Sequence, residues 1–219
     1  MAEQAPDVPR LCGDDLVTVA VAGAAAAGRL AAVLREDPTW LEAVPGLATV
    51  VARFDATVTD PRTACERLGR ALAAGAPQAA TEAPPVRVPV RYGGVDGPDL
   101  EAICRELGLT RDAFVAAHTS GWYRVAMLGF TPGFAYVSGL DERLSVGRLE
   151  RPRQRVPAGS VGIAGAWTGL YALAGPGGWP LIGRTPLRLF DPAGEEPFRL
   201  APGQRIRFEA IGRDEDAAP

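Results

Sequence analysis

Lysine is absent from these 219 residues: all 23 basic side chains are arginine. That excludes a Walker-type phosphate loop and Schiff-base chemistry, each of which needs an ammonium group at a fixed place. Histidine is nearly absent, with one residue, so no site is built from several imidazoles. The three cysteines, Cys12, Cys65 and Cys104, stand far apart, and their odd number and spacing fit neither a disulfide framework nor a CxxC metal knuckle. They read as small buried hydrophobes in a reducing compartment. Positive charge is not in excess either, since 26 acidic residues bring the formal net charge to −3, which argues against a general nucleic-acid binder. No stretch reaches the roughly 18 uninterrupted apolar residues of a spanning helix. Met1 to Arg10, acidic and proline-containing, lacks the basic and apolar regions of a signal peptide. The expectation is a cytoplasmic protein with no membrane segment and no metal site.

Glycine and proline, by contrast, are plentiful: 26 and 20 residues, half of them between Gly129 and Gly203. The architecture therefore changes along the chain. From Leu11 to Gly75 strand and helix patterns alternate: Asp15 to Val21 is a short β-prone run, and Ala24 to Arg35 sets Leu30, Val33 and Leu34 on one helical face. Leu47 to Phe54 is a second strand. Asp60 and Pro61 then supply an N-cap and a first-turn proline for a helix carrying Ala64, Leu68, Ala71 and Leu72, closed by Gly75. Ala76 to Pro85, with three prolines and no periodicity, reads as a linker. A strand over Val86 to Tyr92 follows, then helices over Pro98 to Leu107 and Arg111 to His118, the latter capped by Thr110. After Gly121 the pattern is β: Trp122 to Leu128, Ser160 to Ala164, Leu170 to Leu173, Leu187 to Phe190 and Gln204 to Ile211, broken by Gly/Pro turns. In the last of these Ile206, Phe208 and Ala210 face inward. Such punctuation predicts an antiparallel barrel or sandwich. Two domains follow, residues 1–85 and 86–219.

Several constellations could carry chemistry. The helix pair Leu100 to His118 has a helix-turn-helix look, but its second helix offers Arg111 beside Asp112 and then apolar residues, so it reads as a packed helical hairpin. His118 is either a general base or donor, since an unperturbed pKa near 6.5 permits both forms, or a core histidine bonded to the backbone. Arg143, Arg148, Arg151, Arg153 and Arg155 crowd one segment, and the last three share a face if it is extended. Their guanidiniums either hold an anionic substrate or an acidic partner surface, or form a solvated edge strand. Gly129 to Gly139 and Gly175 to Arg184 permit sharp turns and close backbone approach, yet a GxGxxG frame from Gly175 fails at Pro180. Ser160 is not in a nucleophile elbow. Asp96 and Asp99 either orient a substrate amine or act as a base, or else cap a helix.

The run Gly129 to Tyr136 (GFTPGFAY), then Gly139-Leu140-Asp141, Arg153 to Gly165 (RQRVPAGSVGIAG), Gly177-Gly178-Trp179 and Leu181 to Pro186 (LIGRTP) resembles the family of 5-oxoprolinase B-type subunits, also called allophanate hydrolase subunit 1 or sporulation-kinase inhibitor. The upstream GGVDGPDL and His118-Thr119 fit the same pattern, and the match runs over Val86 to Ile211. The resemblance implies an α+β protein: a small N-terminal α/β lobe, ferredoxin-like, followed by a C-terminal cyclophilin-like antiparallel β-barrel. It also implies a related barrel-fold partner, the C-type subunit of 5-oxoprolinase or allophanate hydrolase subunit 2, and a third subunit completing an ATP-dependent enzyme that opens 5-oxoproline to glutamate. ATP would then be bound by the complex rather than necessarily by this chain.

Opening a lactam requires activation of the amide oxygen, most simply by phosphoryl transfer, and delivery of water. A lysine-free chain with one histidine supplies half of such a site, with His118, Arg153 and Arg155 as the catalytic candidates. Asp96, Phe134, Tyr136, Ser160, Trp167 and Arg184 are the substrate-binding candidates. Where the family commonly reads glutamine before Thr168-Gly169, this chain has Trp167, which shifts substrate choice if that position lines the pocket. Two other readings are a non-catalytic inhibitor of a sensor histidine kinase and a stand-alone enzyme with a diverged pocket.

Overall fold

The computed structural model describes residues 8–75 and 85–212. The chain clusters into two compact units, Met1–Thr81 and Glu82–Pro219. The expected linker lies, up to residue 84, outside the described residues.

In the first unit, strands β1 (Arg10–Leu11), β2 (Leu16–Ala20), β3 (Trp40–Pro45) and β4 (Thr49–Phe54) form an antiparallel sheet in the order β1-β2-β4-β3. Helices α1 (Ala24–Glu36) and α2 (Pro61–Ala74) complete it. α2 begins as the sequence dictates: the Asp60 carboxylate accepts from the Thr63 N–H at 3.0 Å, with Pro61 in the first turn. α1 buries Ala27, Leu30, Ala31 and Leu34, while Val33 is only half-buried. The sequence pattern missed β3, whose exposed Leu41, Glu42 and Val44 break the alternation. In a ferredoxin-like sheet a strand after the second helix would stand beside β2; among the described residues that place is held by β1, which precedes β2 in the chain.

The second unit is a closed barrel of seven strands: β5 (Val86–Tyr92), β6 (Tyr123–Leu128), β7 (Ala135–Ser138), β9 (Ser160–Ala164), β10 (Trp167–Leu170), β12 (Leu181–Arg184) and β13 (Arg205–Ala210), in the order β10-β7-β6-β13-β5-β12-β9. β9 pairs with β10 to close it. Outside the barrel β8 (Arg153–Val156) pairs with β11 (Gly175–Gly177). The barrel is not wholly antiparallel as expected: β13 runs parallel to β5, with Phe208 opposite Val88. The first and last barrel strands lie far apart in sequence, so no hairpin constrains their relative direction. Two further expectations shift. The third expected strand of this region is β10, ending at Leu170 rather than beginning there, and Leu187 to Phe190 makes only one isolated bridge, Phe190 to Phe198. Ala210, expected inward, is exposed at the end of β13.

Helices α3 (Leu100–Leu107) and α4 (Arg111–Ser120) form the expected hairpin, with Leu100, Ile103, Cys104 and Phe114 buried in the barrel's hydrophobic cluster. Each fully buried apolar side chain contributes roughly 1.5–3 kcal/mol. That cluster, with Val88, Val125, Val137, Ile163 and Ile206 at 0% exposure, outweighs any single ion pair in holding the unit together.

Candidate functional site: an aromatic pocket on the barrel wall

A cavity of about 410 Å³ lies beside β7 and β10. Phe134 is its hub: the rings of Phe130, Tyr136, Tyr171 and Trp179 stand edge-on around it, with centroids at 5.5, 4.8, 4.9 and 5.9 Å. Phe134 precedes β7 and Tyr136 lies within it, two residues on, so period-two alternation aims both rings the same way. Opposite Tyr136 in the ladder stands Gly169 of β10. A Cβ there would lie 2.7 Å from the Trp179 ring and 2.9 Å from Phe134, so the pocket exists because this position has no side chain. Gly177 plays the same part for Tyr171, whose hydroxyl would be 2.6 Å from a Cβ at that position.

Phe130 is the one described residue other than glycine with positive φ, at 71°. The Thr131 N–H donates to the Gly129 carbonyl at 2.9 Å, closing a three-residue turn around Phe130. This strained conformation holds a 61%-exposed ring at the pocket mouth. Arg148 is the sole charged lining residue. Burial pushes the Tyr171 hydroxyl up in pKa, while a hydrogen bond from the Trp179 backbone and the nearby charges of Arg148 and Arg153 pull it the other way.

Of the residues expected at the site, Phe134, Tyr136 and Trp167 do meet here. The others do not join them. His118 is fully buried, with Nδ1 2.7 Å from the Tyr92 hydroxyl and Nε2 3.2 Å from Thr168 Oγ1; it lines neither described cavity. Desolvation lowers its pKa to about 3, so the imidazole stays neutral at physiological pH. It lies behind the pocket wall: Thr168 is buried against it, while the flanking Trp167 and Gly169 belong to the pocket side of β10.

Arg153 Nη2 donates to Asp99 Oδ1 at 2.7 Å, and Asp99 Oδ2 accepts from the Leu181 N–H at 2.6 Å. Asp99 therefore straps β8 and β12 to the start of α3 and makes no side-chain cap, contrary to the capping alternative. Arg155, two residues on in β8, is exposed and lines neither cavity. Ser160 is buried on β9, and the Arg184 Nε donates to the Ala158 carbonyl at 2.8 Å. Asp96 pairs with Arg91 at 3.2 Å beside a second cavity, of about 520 Å³, between β5 and α4. The GGVDGPDL segment has a packing reason as well: a Cβ at Gly97 would fall 2.1 Å from the Ile182 carbonyl oxygen.

Sequence reasoning did not single out Phe130, Tyr171 or Arg148 as pocket residues, and named Trp179 only within a motif. The usable signals were the glycines flanking Trp179 and Phe130. No group of three or more His, Cys, Asp or Glu placed to hold a metal occurs among the described residues. Nor is any helix among them long and apolar enough to cross a membrane.

The family model for the carboxyltransferase domain, subdomain C and D, matches residues 10–200. The chain belongs to this family. Among curated family relatives, the B-type subunit of 5-oxoprolinase from Escherichia coli O157:H7 is 44% identical over 180 residues, covering 82% of each chain. Among solved structures, TTHA0988 superposes with a TM-score of 0.78 at 35% identity; the match covers 90% of this chain but 40% of that one. The Kluyveromyces lactis urea carboxylase shares the fold, with a TM-score of 0.73 over 99% of this chain and 23% of that protein, at 19% identity.

Proposed function

We propose that this chain is the B-type subunit of an ATP-dependent 5-oxoprolinase-like complex and that its aromatic pocket receives a cyclic amide. The observation that carries this reading is the pocket's composition. Six aromatic rings and one guanidinium line it, and no histidine, carboxylate or thiol does. Such walls bind and orient a flat ring but offer no general base for water. The remaining chemistry belongs to a related barrel-fold subunit and a third subunit, so the site is composite and the assembly cytoplasmic. The two described cavities do not fit a nucleotide triphosphate: the aromatic pocket carries one guanidinium, and the second cavity sets Arg91 and Arg111 beside the carboxylates of Asp96 and Asp112, which oppose an anion. ATP is therefore assigned to another subunit, and no step is derived through it. The first unit reads as a ferredoxin-like lobe with its edge strand supplied by β1, the second as a cyclophilin-like barrel, and the two as separate domains.

Exposed Arg155 is the charged group on β8 that a partner subunit would meet, beside exposed Gln154. Co-expression with the partner subunits, followed by glutamate release from 5-oxoproline and ATP, tests the proposal. Release is expected only from the full assembly, and R155A should lower it without altering the stability of this chain. Turnover by the purified chain alone would overturn the composite site. Trp167 in the lining favours a second reading, in which the bound ring is less polar than 5-oxoproline; competition by more apolar cyclic amides would support it.

A further inference from the structure

The polar end of the aromatic pocket has a feature that ring binding does not use. Arg148 is exposed and has no ion pair or hydrogen bond among the described residues, whereas the more buried Arg153 and Arg91 pair with Asp99 and Asp96, Arg153 keeping one buried nitrogen, Nη1, without a partner. The backbone next to it is anchored at the pocket rim. The Leu149 N–H donates to the Gly178 carbonyl at 2.8 Å, and a Cβ at Gly178 would sit 3.3 Å from Arg148 Nη2, so the guanidinium lies against a glycine that leaves it room. The Tyr171 hydroxyl sits over the adjacent Gly177 and feels the Arg148 charge. It accepts from the Trp179 backbone, which leaves its own O–H to donate. A guanidinium and a phenol proton thus converge at one end of a box of aromatic faces.

We propose that Arg148, helped by the Tyr171 hydroxyl, is the carboxylate-binding residue of this pocket, and that the ligand is a small flat-ringed organic acid held with its ring against Phe134 and Trp179. A planar guanidinium takes a carboxylate in two parallel hydrogen bonds, which fixes the ring's orientation as well as its affinity. The ring is read as the lactam of 5-oxoproline on the strength of the proposed function; the carboxylate subsite itself stands on the pocket alone.

The test uses the full chain, alone and in the reconstituted assembly, with binding followed by calorimetry. The probes are L-5-oxoproline, 2-pyrrolidone, which keeps the ring and lacks the carboxylate, and benzoate, a flat acid that is no lactam. At least one of the two acids should bind the wild-type chain or assembly more tightly than 2-pyrrolidone. R148A should weaken that acid by about 10- to 100-fold, the range of a charge-assisted hydrogen bond, and leave 2-pyrrolidone unchanged. R148K should restore part of the loss. Equal weakening of acid and neutral probe, no weakening of either, or failure of both acids to bind would overturn the carboxylate subsite. Arg148-dependent benzoate binding without turnover of 5-oxoproline would instead uphold the subsite and defeat the proposed function. In the assembly, a KM for 5-oxoproline that rises in R148A while kcat holds separates ligand binding from a merely structural role.

Discussion

Two aromatic clusters in the barrel unit are built from similar residues and behave in opposite ways. Inside, Tyr92, Phe114, Tyr123 and Phe208 surround His118, with ring centroids 4.5 to 6.4 Å from the imidazole, and every polar atom of the histidine side chain has a partner. On the other side of β10, Phe134, Tyr136, Tyr171 and Trp179 surround a cavity and leave a guanidinium unmatched. The difference teaches that residue type alone does not mark a site. Where glycines at 169 and 177 hold aromatic faces apart and a charge is left over, binding is available; where each donor meets an acceptor in a dry core, the same chemistry only stabilises.

The inner cluster is the place for the largest effect. His118→Ala leaves the Tyr92 hydroxyl and Thr168 Oγ1 without partners around a new cavity, and should cost about 3 to 5 kcal/mol in urea denaturation. A loss under about 1 kcal/mol, the size of an ordinary surface change, would remove the distinction between the clusters. Acidification probes the same group. The native imidazole stays neutral down to about pH 3, whereas the unfolded one takes up a proton near 6.5. Below 6.5 the unfolded state therefore binds more protons, so this contribution is fully present above that pH and shrinks as pH falls, by roughly 1.4 kcal/mol per unit. Denaturation curves from pH 7 to 4 should show this slope in the wild type, and H118A should flatten it.

The outer cluster should respond in binding before stability. Gly169→Ala drives a methyl into Trp179 and Phe134, and should cost about 1 to 3 kcal/mol of stability by overpacking. Calorimetry should also find ring ligands about tenfold weaker. Phe130→Gly gives the smallest stability change, a gain of up to about 1 kcal/mol as the left-handed strain is released. Because it also removes a ring from the mouth, ligand binding should weaken while Tm holds or rises, opposite signs that a purely structural Phe130 would not give.

Much of the scaffold was legible in the sequence. Asp60 and Thr110 cap the helices that they were expected to start, and Val86 to Tyr92 and Arg205 to Ala210 form strands because their alternation matches the pleat. β7 and β12 were not legible: they lie in Gly/Pro-rich blocks, where short strands gain their pairing from distant partners rather than from local pattern. Phe134 and Tyr136, expected from the motif, and Trp167, expected as a departure from it, line one cavity, while Arg148 was read only as one of five clustered arginines and not as a lining residue.

The sequence by itself determined the chemical inventory: a chain with no lysine, a single imidazole and arginine as its only strong cation, divided between an alternating strand and helix region and a Gly/Pro-punctuated β region. Only the tertiary structure decided which of those groups is exposed and which is silenced. Thr168 turns one way to the histidine while Trp167 and Gly169 turn the other way to the pocket, and that choice is made by strand register. Register depends on pairing partners remote in sequence, so no local pattern around the lone histidine could reveal that it would be sealed in, or that Arg148 would stand open.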